Sequence, residues 1–92
     1  IITPATAILA GTELRRIVAA EPTAPHAAAL RRIGNLDVQL VRCDQWWKLY
    51  LADLQPIPHT TRDQWATAVS APSVEWEQTP DGRTVWCSWT EG

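Results

Sequence analysis

The chain has 92 residues and a formal net charge of −2, a size typical of one small domain. Hydrophobic residues make up 46% of it, which is enough for a modest core and excludes a disordered chain. No apolar run reaches the roughly 18 residues needed to span a bilayer, and no charged start with a cleavage site indicates a signal peptide. We therefore expect a single soluble domain over residues 1–92, located in the cytoplasm.

Charge and aromatic residues divide the chain into two halves. Residues 1–42 have a net charge of +2 and most of the alanines, whereas residues 43–92 have a net charge of −4 and all six tryptophans. The chain contains no Phe and no Met, so tryptophan must supply much of the large apolar volume of the core. Because the first residue is Ile1 rather than Met, we expect a chain that was processed or cut from a longer protein.

The N-terminal segment, residues 1–22, is predicted to be helical. Thr3 followed by Pro4 has the pattern of an N-cap with proline at the first helical position. The apolar residues that follow fit one or two helical pieces with an interruption near Gly11. The pattern ends before Pro22, where proline cannot continue a helix.

A helix and a strand are predicted next. The helix covers residues 24–33, with Thr23 as its cap and Gly34 as the left-handed residue that ends it. The strand covers residues 36–42, where apolar and polar residues alternate as in a strand with one buried face.

Two further helices are predicted in the second half. Asp44 can cap a helix over residues 45–55. The residues at i, i+3, i+4 and i+7 of that segment form one apolar stripe, made of Trp47, Tyr50, Leu51 and Leu54. Thr61 and Gln64 match a capping box for a short helix over residues 62–69.

The C-terminal residues are predicted to form a β-hairpin. Residues 79–82, Thr-Pro-Asp-Gly, have the composition of a type I turn in which Gly takes the left-handed conformation of a bulge. A three-residue loop at this turn places Trp76 opposite Trp86 on one face of the hairpin. The other face then holds Glu75, Glu77, Val85, Cys87 and Trp89.

These elements predict an α+β fold that is mostly helical, with one strand and a C-terminal β-hairpin. Residues 23–92 form its core in the order helix, strand, helix, helix, hairpin. Over roughly residues 23–90 this order resembles the winged helix-turn-helix plan, in which the third helix reads the major groove of DNA and the hairpin is the wing. The resemblance lies in the order of elements alone, since no family motif accompanies it.

The tryptophans are the main candidates for function. Trp47 and Trp65 lie on apolar stripes and are predicted to be core residues. Trp46 lies about 100° around the predicted helix from Trp47, and Trp89 shares its hairpin face with two glutamates. We expect at least one of Trp46 and Trp89 to be partly exposed, which favours a binding surface.

The leading hypothesis is a non-catalytic protein–protein interaction module, such as a small regulator or inhibitor. It would present Trp46 or Trp89 beside Glu75 and Glu77 to another protein with a basic or mixed surface. The hypothesis depends on the tryptophan enrichment, on the acidity of the second half and on the absence of a catalytic motif.

Two other classes of function remain open. A winged-helix DNA-binding regulator, bound as a homodimer, would use Arg62, Gln64, Thr67 and Arg83 at the groove. The net charge of −4 over residues 43–92 opposes this alternative, because phosphate contacts need basic side chains. A sugar-binding module is ranked lower, since the sequence shows no aligned row of aromatic residues.

Catalytic and metal sites have little support. Glu75 and Glu77 lie two residues apart, as in a carboxylate pair, but the sequence shows no third polar group at a meaningful spacing. The only candidate metal ligands outside the acidic residues are His26, Cys43, His59 and Cys87, and they lack the close pairs of structural zinc sites. Cys43 and Cys87 are either reduced thiols, which we favour, or one lone disulfide, and we expect no metal, no cofactor and no catalysis.

Overall fold

The computed structural model describes residues 3–20 and 26–91. Within these ranges the chain forms α1 (Pro4–Ala19), β1 (His26–Ile33), β2 (Leu36–Cys43), β3 (Trp46–Ala52), α2 (His59–Ala68), β4 (Glu77–Gln78) and β5 (Thr84–Thr90). The strands form one antiparallel sheet in the order β1-β2-β3-β5-β4. The α+β class is confirmed, but the expectation of a mostly helical fold is wrong.

The start of α1 follows the predicted capping pattern. The hydroxyl of Thr3 accepts a hydrogen bond from the backbone N–H of Thr6 at 3.2 Å, and Pro4 is the first helical residue. The helix is continuous through Gly11, where an interruption was expected. Glycine is tolerated there because α1 closely approaches α2, and an added Cβ would lie 2.6 Å from the Cβ of Ala68.

The helix predicted over residues 24–33 is wrong, because His26–Ile33 forms β1. Its eight residues all pair with β2, and the two strands are joined by the two-residue turn of Gly34 and Asn35. Gly34 has a φ of +60°, which suits the first position of such a turn. Pairing with β2 thus overrides the helical propensity of the alanine-rich segment. The predicted cap Thr23 lies outside the described residues.

The helix predicted over residues 45–55 is also wrong, because most of this segment forms β3. Its alternation is that of a strand, with Trp47, Leu49 and Leu51 buried between more exposed neighbours. Only Trp47 and Leu51 of the predicted helical stripe fit both periods; Tyr50 lies on the opposite face of the strand, and Leu54 lies beyond its end. Asp44, the expected helix cap, instead takes a φ of +57° in the turn between β2 and β3. Since two predicted helices are strands, the winged-helix resemblance is not confirmed.

The strand predicted over residues 36–42 and the helix predicted over residues 62–69 are both present with shifted bounds. α2 begins at His59, so Thr61 does not cap it, and no side chain caps its first turn. Its end is a Schellman motif: Ser70 has a φ of +60°, and the N–H of Ala71 donates to the carbonyl of Ala66 at 2.9 Å.

The hairpin is present, but its predicted register is wrong by one residue. The N–H of Gly82 donates to the carbonyl of Thr79 at 2.9 Å, as expected of the type I turn. The loop is one residue longer than predicted, because Thr79 bonds Thr84 rather than Arg83. Trp86 therefore pairs with Glu77, and Trp76 packs against the core instead of against Trp86.

The sheet has one covered face and one face without helices. The side chains of the covered face form a core with both helices, and this core includes Trp47, Trp65 and Trp89. No described helix covers the opposite face, which we call the open face. Successive side chains of a strand point to opposite faces, so the register defines the open face as His26, Ala28, Leu30, Arg32, Asp37, Gln39, Val41, Cys43, Trp46, Lys48, Tyr50, Ala52, Glu77, Thr84, Trp86, Ser88 and Thr90.

Candidate functional site

Trp46 is the most exposed aromatic residue on the open face. It is 55% exposed, and the register places it beside Cys43 of β2 and Thr90 of β5. Burying a large apolar side chain is worth about 1.5–3 kcal/mol, and Trp46 forgoes much of this gain. The expectation that at least one of Trp46 and Trp89 is exposed is confirmed by Trp46.

Two more aromatic residues lie on the open face next to each other. Tyr50 and Trp86 are direct partners on β3 and β5, and both are half-buried. The indole N–H of Trp86 donates to the carboxylate of Glu77 at 2.7 Å. This hydrogen bond holds the Trp86 ring beside β4. The ammonium of Lys48 lies 6.0 Å from the centre of the Tyr50 ring, within range of a cation–π contact.

Tyr50, Trp86 and Lys48 are not among the site residues that the sequence pattern predicts. A helix over residues 45–55 would place Tyr50 on the apolar stripe that faces the core. The alternation of Trp46, Lys48 and Tyr50 was the available indication, since it places all three on one face of a strand. Charges on this face are balanced: Arg32 and Asp37 form an ion pair of 3.4 Å.

Trp89 lies on the covered face and is buried. Its ring stacks on that of Trp47, with centroids 6.3 Å apart. The expectation that Trp89 presents a binding surface is therefore not compatible with its position. The register explains the difference, since β5 alternates with Val85, Cys87 and Trp89 all facing the core.

Glu75 and Glu77 are both exposed, as expected. They alternate with Val74 and Trp76, which pack against the core. Glu77 belongs to the open face, and Glu75 precedes the same edge strand. They add negative charge at the β4 edge of the open face, and the one described hydrogen bond from a side chain to either of them comes from Trp86.

The four residues proposed to contact DNA are not equally available. Arg62 is buried, and its guanidinium donates to the carbonyl of Ile57 at 3.1 Å and to the side chain of Gln78 at 2.9 Å. It joins α2 to the preceding loop and to β4. Gln64 is half-buried and Thr67 exposed on α2, and Arg83 is exposed at the hairpin turn.

Gln64 and Thr67 line a shallow groove between the two helices. The groove has a volume of about 560 Å³ and is also lined by Pro4 and Ile8 of α1. Its lining contains no Lys or Arg, so no cationic side chain of the groove can pair with a phosphate. The groove is lined by threonines, an aspartate and an apolar side chain, without a cluster of catalytic groups.

The cysteines lie on opposite faces of the sheet. Cys43 is exposed on the open face, Cys87 is buried on the covered face, and both are free thiols. Burial raises the pKa of the Cys87 thiol from 9.0 to about 12, so this thiol is unreactive near neutral pH. Among the described residues no group of three His, Cys, Asp or Glu side chains is placed to hold a metal ion.

The chain matches no protein-family model, no curated protein and no solved structure at a significant level. Neither described helix is both long and apolar enough to cross a membrane. The open face is the surface that carries the exposed Trp46 together with the half-buried Tyr50 and Trp86.

Proposed function

We propose that the protein is a non-catalytic protein–protein interaction module that binds its partner with the open face of the sheet. The observation that carries the proposal is the 55% exposure of Trp46 on a face that no described helix covers and that also holds Tyr50 and Trp86. Tryptophan and tyrosine are enriched among the residues that dominate binding energy at protein interfaces. A small regulator or inhibitor is the kind of protein that fits such a module.

The composition of the open face supports a protein partner. Tyr50 and Trp86 are partners on neighbouring strands, Trp46 lies at the start of β3, and polar side chains such as Gln39, Lys48, Ser88 and Thr90 lie among and around them. Protein interfaces combine aromatic and polar residues in this way. Glu75 and Glu77 make its β4 edge acidic, which suits a partner with a basic or mixed surface. Trp46 is the expected anchor of this contact.

The test is site-specific photocrosslinking in the cells from which the sequence comes. A photoreactive amino acid at Ser88 on the open face should capture the partner, whereas the same group at the exposed Thr12 of α1 should not. Trp46→Ser should reduce the Ser88 product at least about tenfold, as expected of a residue that dominates binding energy. Leu9→Ser, which removes an exposed apolar residue from the helix layer, is the matched control and should leave the product unchanged. Equal capture by Trp46→Ser and the unaltered chain contradicts the proposal.

Sugar binding is a second candidate, and one observation favours it. Trp46, Tyr50 and Trp86 lie on one face of neighbouring strands, an aligned set that the sequence alone did not show. Aromatic rings on a flat surface can stack on the apolar faces of pyranose rings. Calorimetric titration of the purified chain with soluble polysaccharides distinguishes this candidate. Binding heat that is present with the unaltered chain and lost in Trp46→Ser and Trp86→Ser would support sugar binding over the interaction module.

DNA binding has less support than either of these functions. Arg62 is engaged inside the protein, which leaves Arg83 as the one exposed cation among the four proposed contacts. A salt titration of duplex binding tests this function. Binding at low salt that weakens steeply as salt rises would favour DNA, since counterion release gives that dependence.

A further inference from the structure

The outer side of β1 is the longest open edge of the sheet. All eight residues of β1 pair with β2 on one side, and no described strand pairs with the other. The opposite edge strand, β4, has only two residues. Natural edge strands are protected by shortness, proline, bulges or charged side chains. The eight-residue segment His26–Ile33 has no proline, and its two arginines form ion pairs with Glu13 and Asp37.

The turn between β1 and β2 defines which backbone groups reach the open edge. A two-residue turn makes the flanking pair, Ile33 and Leu36, a hydrogen-bonded pair. Because pairs alternate along an antiparallel ladder, the backbone groups of Ala28 and Leu30 point away from β2. The open edge therefore presents their N–H and C=O groups to a further strand.

The same alternation of hydrogen-bonded pairs extends to the backbone hydrogen bonds between β3 and β5. The equivalent two-residue turn between β2 and β3 makes Cys43 and Trp46 a hydrogen-bonded pair, which turns the backbone of Gln45 toward β5. The N–H of Glu91 does donate to the carbonyl of Gln45, at 3.2 Å. The alternation that turns the backbone groups of Ala28 and Leu30 outward is therefore consistent with the hydrogen bond between Glu91 and Gln45.

Apolar side chains lie beside the β1 edge both on the open face and on α1, which packs on the covered face. Leu30 is 64% exposed on the open face, and Ile17 is 42% exposed on α1. Glu13 of α1 lies 3.5 Å from Arg31 of β1, so this side of the helix is above the edge strand. Ile17 is four residues after Glu13 and shares that side of α1.

A second copy of this chain fits the edge in one orientation. In an antiparallel arrangement centred on Leu30, a two-fold axis places Arg31 opposite Ala29 and Arg32 opposite Ala28 of the other copy. A parallel arrangement in register would place each arginine against its own equivalent, which is unfavourable. The small side chains of the three alanines also permit close approach.

We propose that β1 pairs antiparallel with β1 of a second copy of this chain, so that one sheet runs through both copies. Strand pairing alone makes a narrow contact. Leu30 on one face and Ile17 on the other widen it toward the roughly 1,000 Å² that a specific interface buries. The proposal does not rest on the function of the open face, which stays accessible on one side of the joined sheet.

Sedimentation equilibrium over a wide concentration range tests the proposal, with a reversible dimer as the expected result. Ala28→Pro removes an N–H that points to the open edge and costs no bond to β2, so it should weaken dimerisation at least about tenfold while the fold persists. Ile17→Glu is a helix-surface change that should have the same effect without altering the strand. Trp46→Ser is the control, and it should leave dimerisation unchanged.

Hydrogen exchange supplies a residue-level measurement. The amides of Ala28 and Leu30 should become more protected as the protein concentration rises, because dimerisation gives them hydrogen-bond acceptors. A chain that stays monomeric at the highest concentration overturns the proposal. A dimer that Trp46→Ser disrupts, or that neither Ala28→Pro nor Ile17→Glu weakens, also overturns it.

Discussion

Trp47 and Trp89 lie directly opposite each other on β3 and β5, and their rings stack with planes 8° from parallel. The guanidinium of Arg15 covers the Trp47 ring at 4.3 Å from its centre. The same guanidinium donates to the carbonyl of Val69 at 2.8 Å and forms an ion pair with Glu91. Arg15 thus joins α1, the end of α2 and the residue after β5 around the aromatic pair.

Trp89→Ala should destabilise the protein far more than Trp46→Ala. Trp89 is buried in the core, and removing a buried tryptophan costs about 3–5 kcal/mol. Trp46 is mostly exposed, so its removal should cost less than about 1 kcal/mol. Urea unfolding followed by far-ultraviolet circular dichroism measures both values, and equal losses would contradict the assignment of Trp89 to the core.

Gly11→Ala should destabilise the protein, although alanine favours a helix over glycine by about 1 kcal/mol. The added Cβ would lie 2.8 Å from the carbonyl oxygen of Ala68, a backbone atom that cannot move aside without shifting α2. Overpacking of this kind costs about 1–3 kcal/mol. Thermal unfolding should show a lower Tm for Gly11→Ala and an equal or slightly higher Tm for Thr12→Ala, the exposed neighbour, since alanine favours a helix over threonine. A higher Tm for Gly11→Ala would contradict the close approach of α1 to α2 at Gly11.

Ser70→Gly should stabilise the protein by about 1 kcal/mol. Ser70 has a φ of +60° at the end of α2, a conformation that costs an L-residue roughly 1–2 kcal/mol and costs glycine nothing. Ser73→Gly is the matched control, because Ser73 is exposed and has no positive φ. It should be neutral or slightly destabilising through the freer unfolded chain. Urea unfolding of both variants gives the comparison.

The two thiols should differ sharply in reactivity and pH response. In the folded protein one equivalent of a thiol reagent should react quickly, at Cys43, and Cys43→Ser should abolish that phase. Cys87 should react only after unfolding.

Because burial raises the pKa of Cys87 from 9.0 to about 12, the folded state holds this proton more tightly than the unfolded state. The stability that the protonated Cys87 thiol contributes is complete below pH 9 and is lost between pH 9 and pH 12. Over this pH range the free energy of unfolding of the unaltered chain should therefore fall by more than that of Cys87→Ala.

Elements with purely local determinants could be predicted from the sequence. Thr3 and Pro4 start α1 by their own side-chain and ring geometry, and residues 79–82 form their turn from Pro and Gly. β1 and β3 could not be predicted in this way. Gly34 has a positive φ whether it ends a helix or forms a two-residue turn, and Asp44 is common both as a helix cap and in turns.

The candidate site was predictable only in part for the same reason. The exposure of Trp46 follows from helical or strand periodicity alike, because its neighbour Trp47 is buried in both. The burial of Trp89 depends on β5 pairing with β3, a contact between distant parts of the sequence. Tyr50 and Trp86 become neighbours through that same pairing, so no local pattern brings them together.

The strand order β1-β2-β3-β5-β4 also determines when the core can close during synthesis. β1, β2 and β3 are joined by two-residue turns and form contacts that are local in sequence, which favours early formation. β5 reaches β3 only after the chain has passed through α2 and β4. While the chain is still growing, α1 and its Arg15 can already cover Trp47, but the ring has no stacking partner until Trp89 is synthesised.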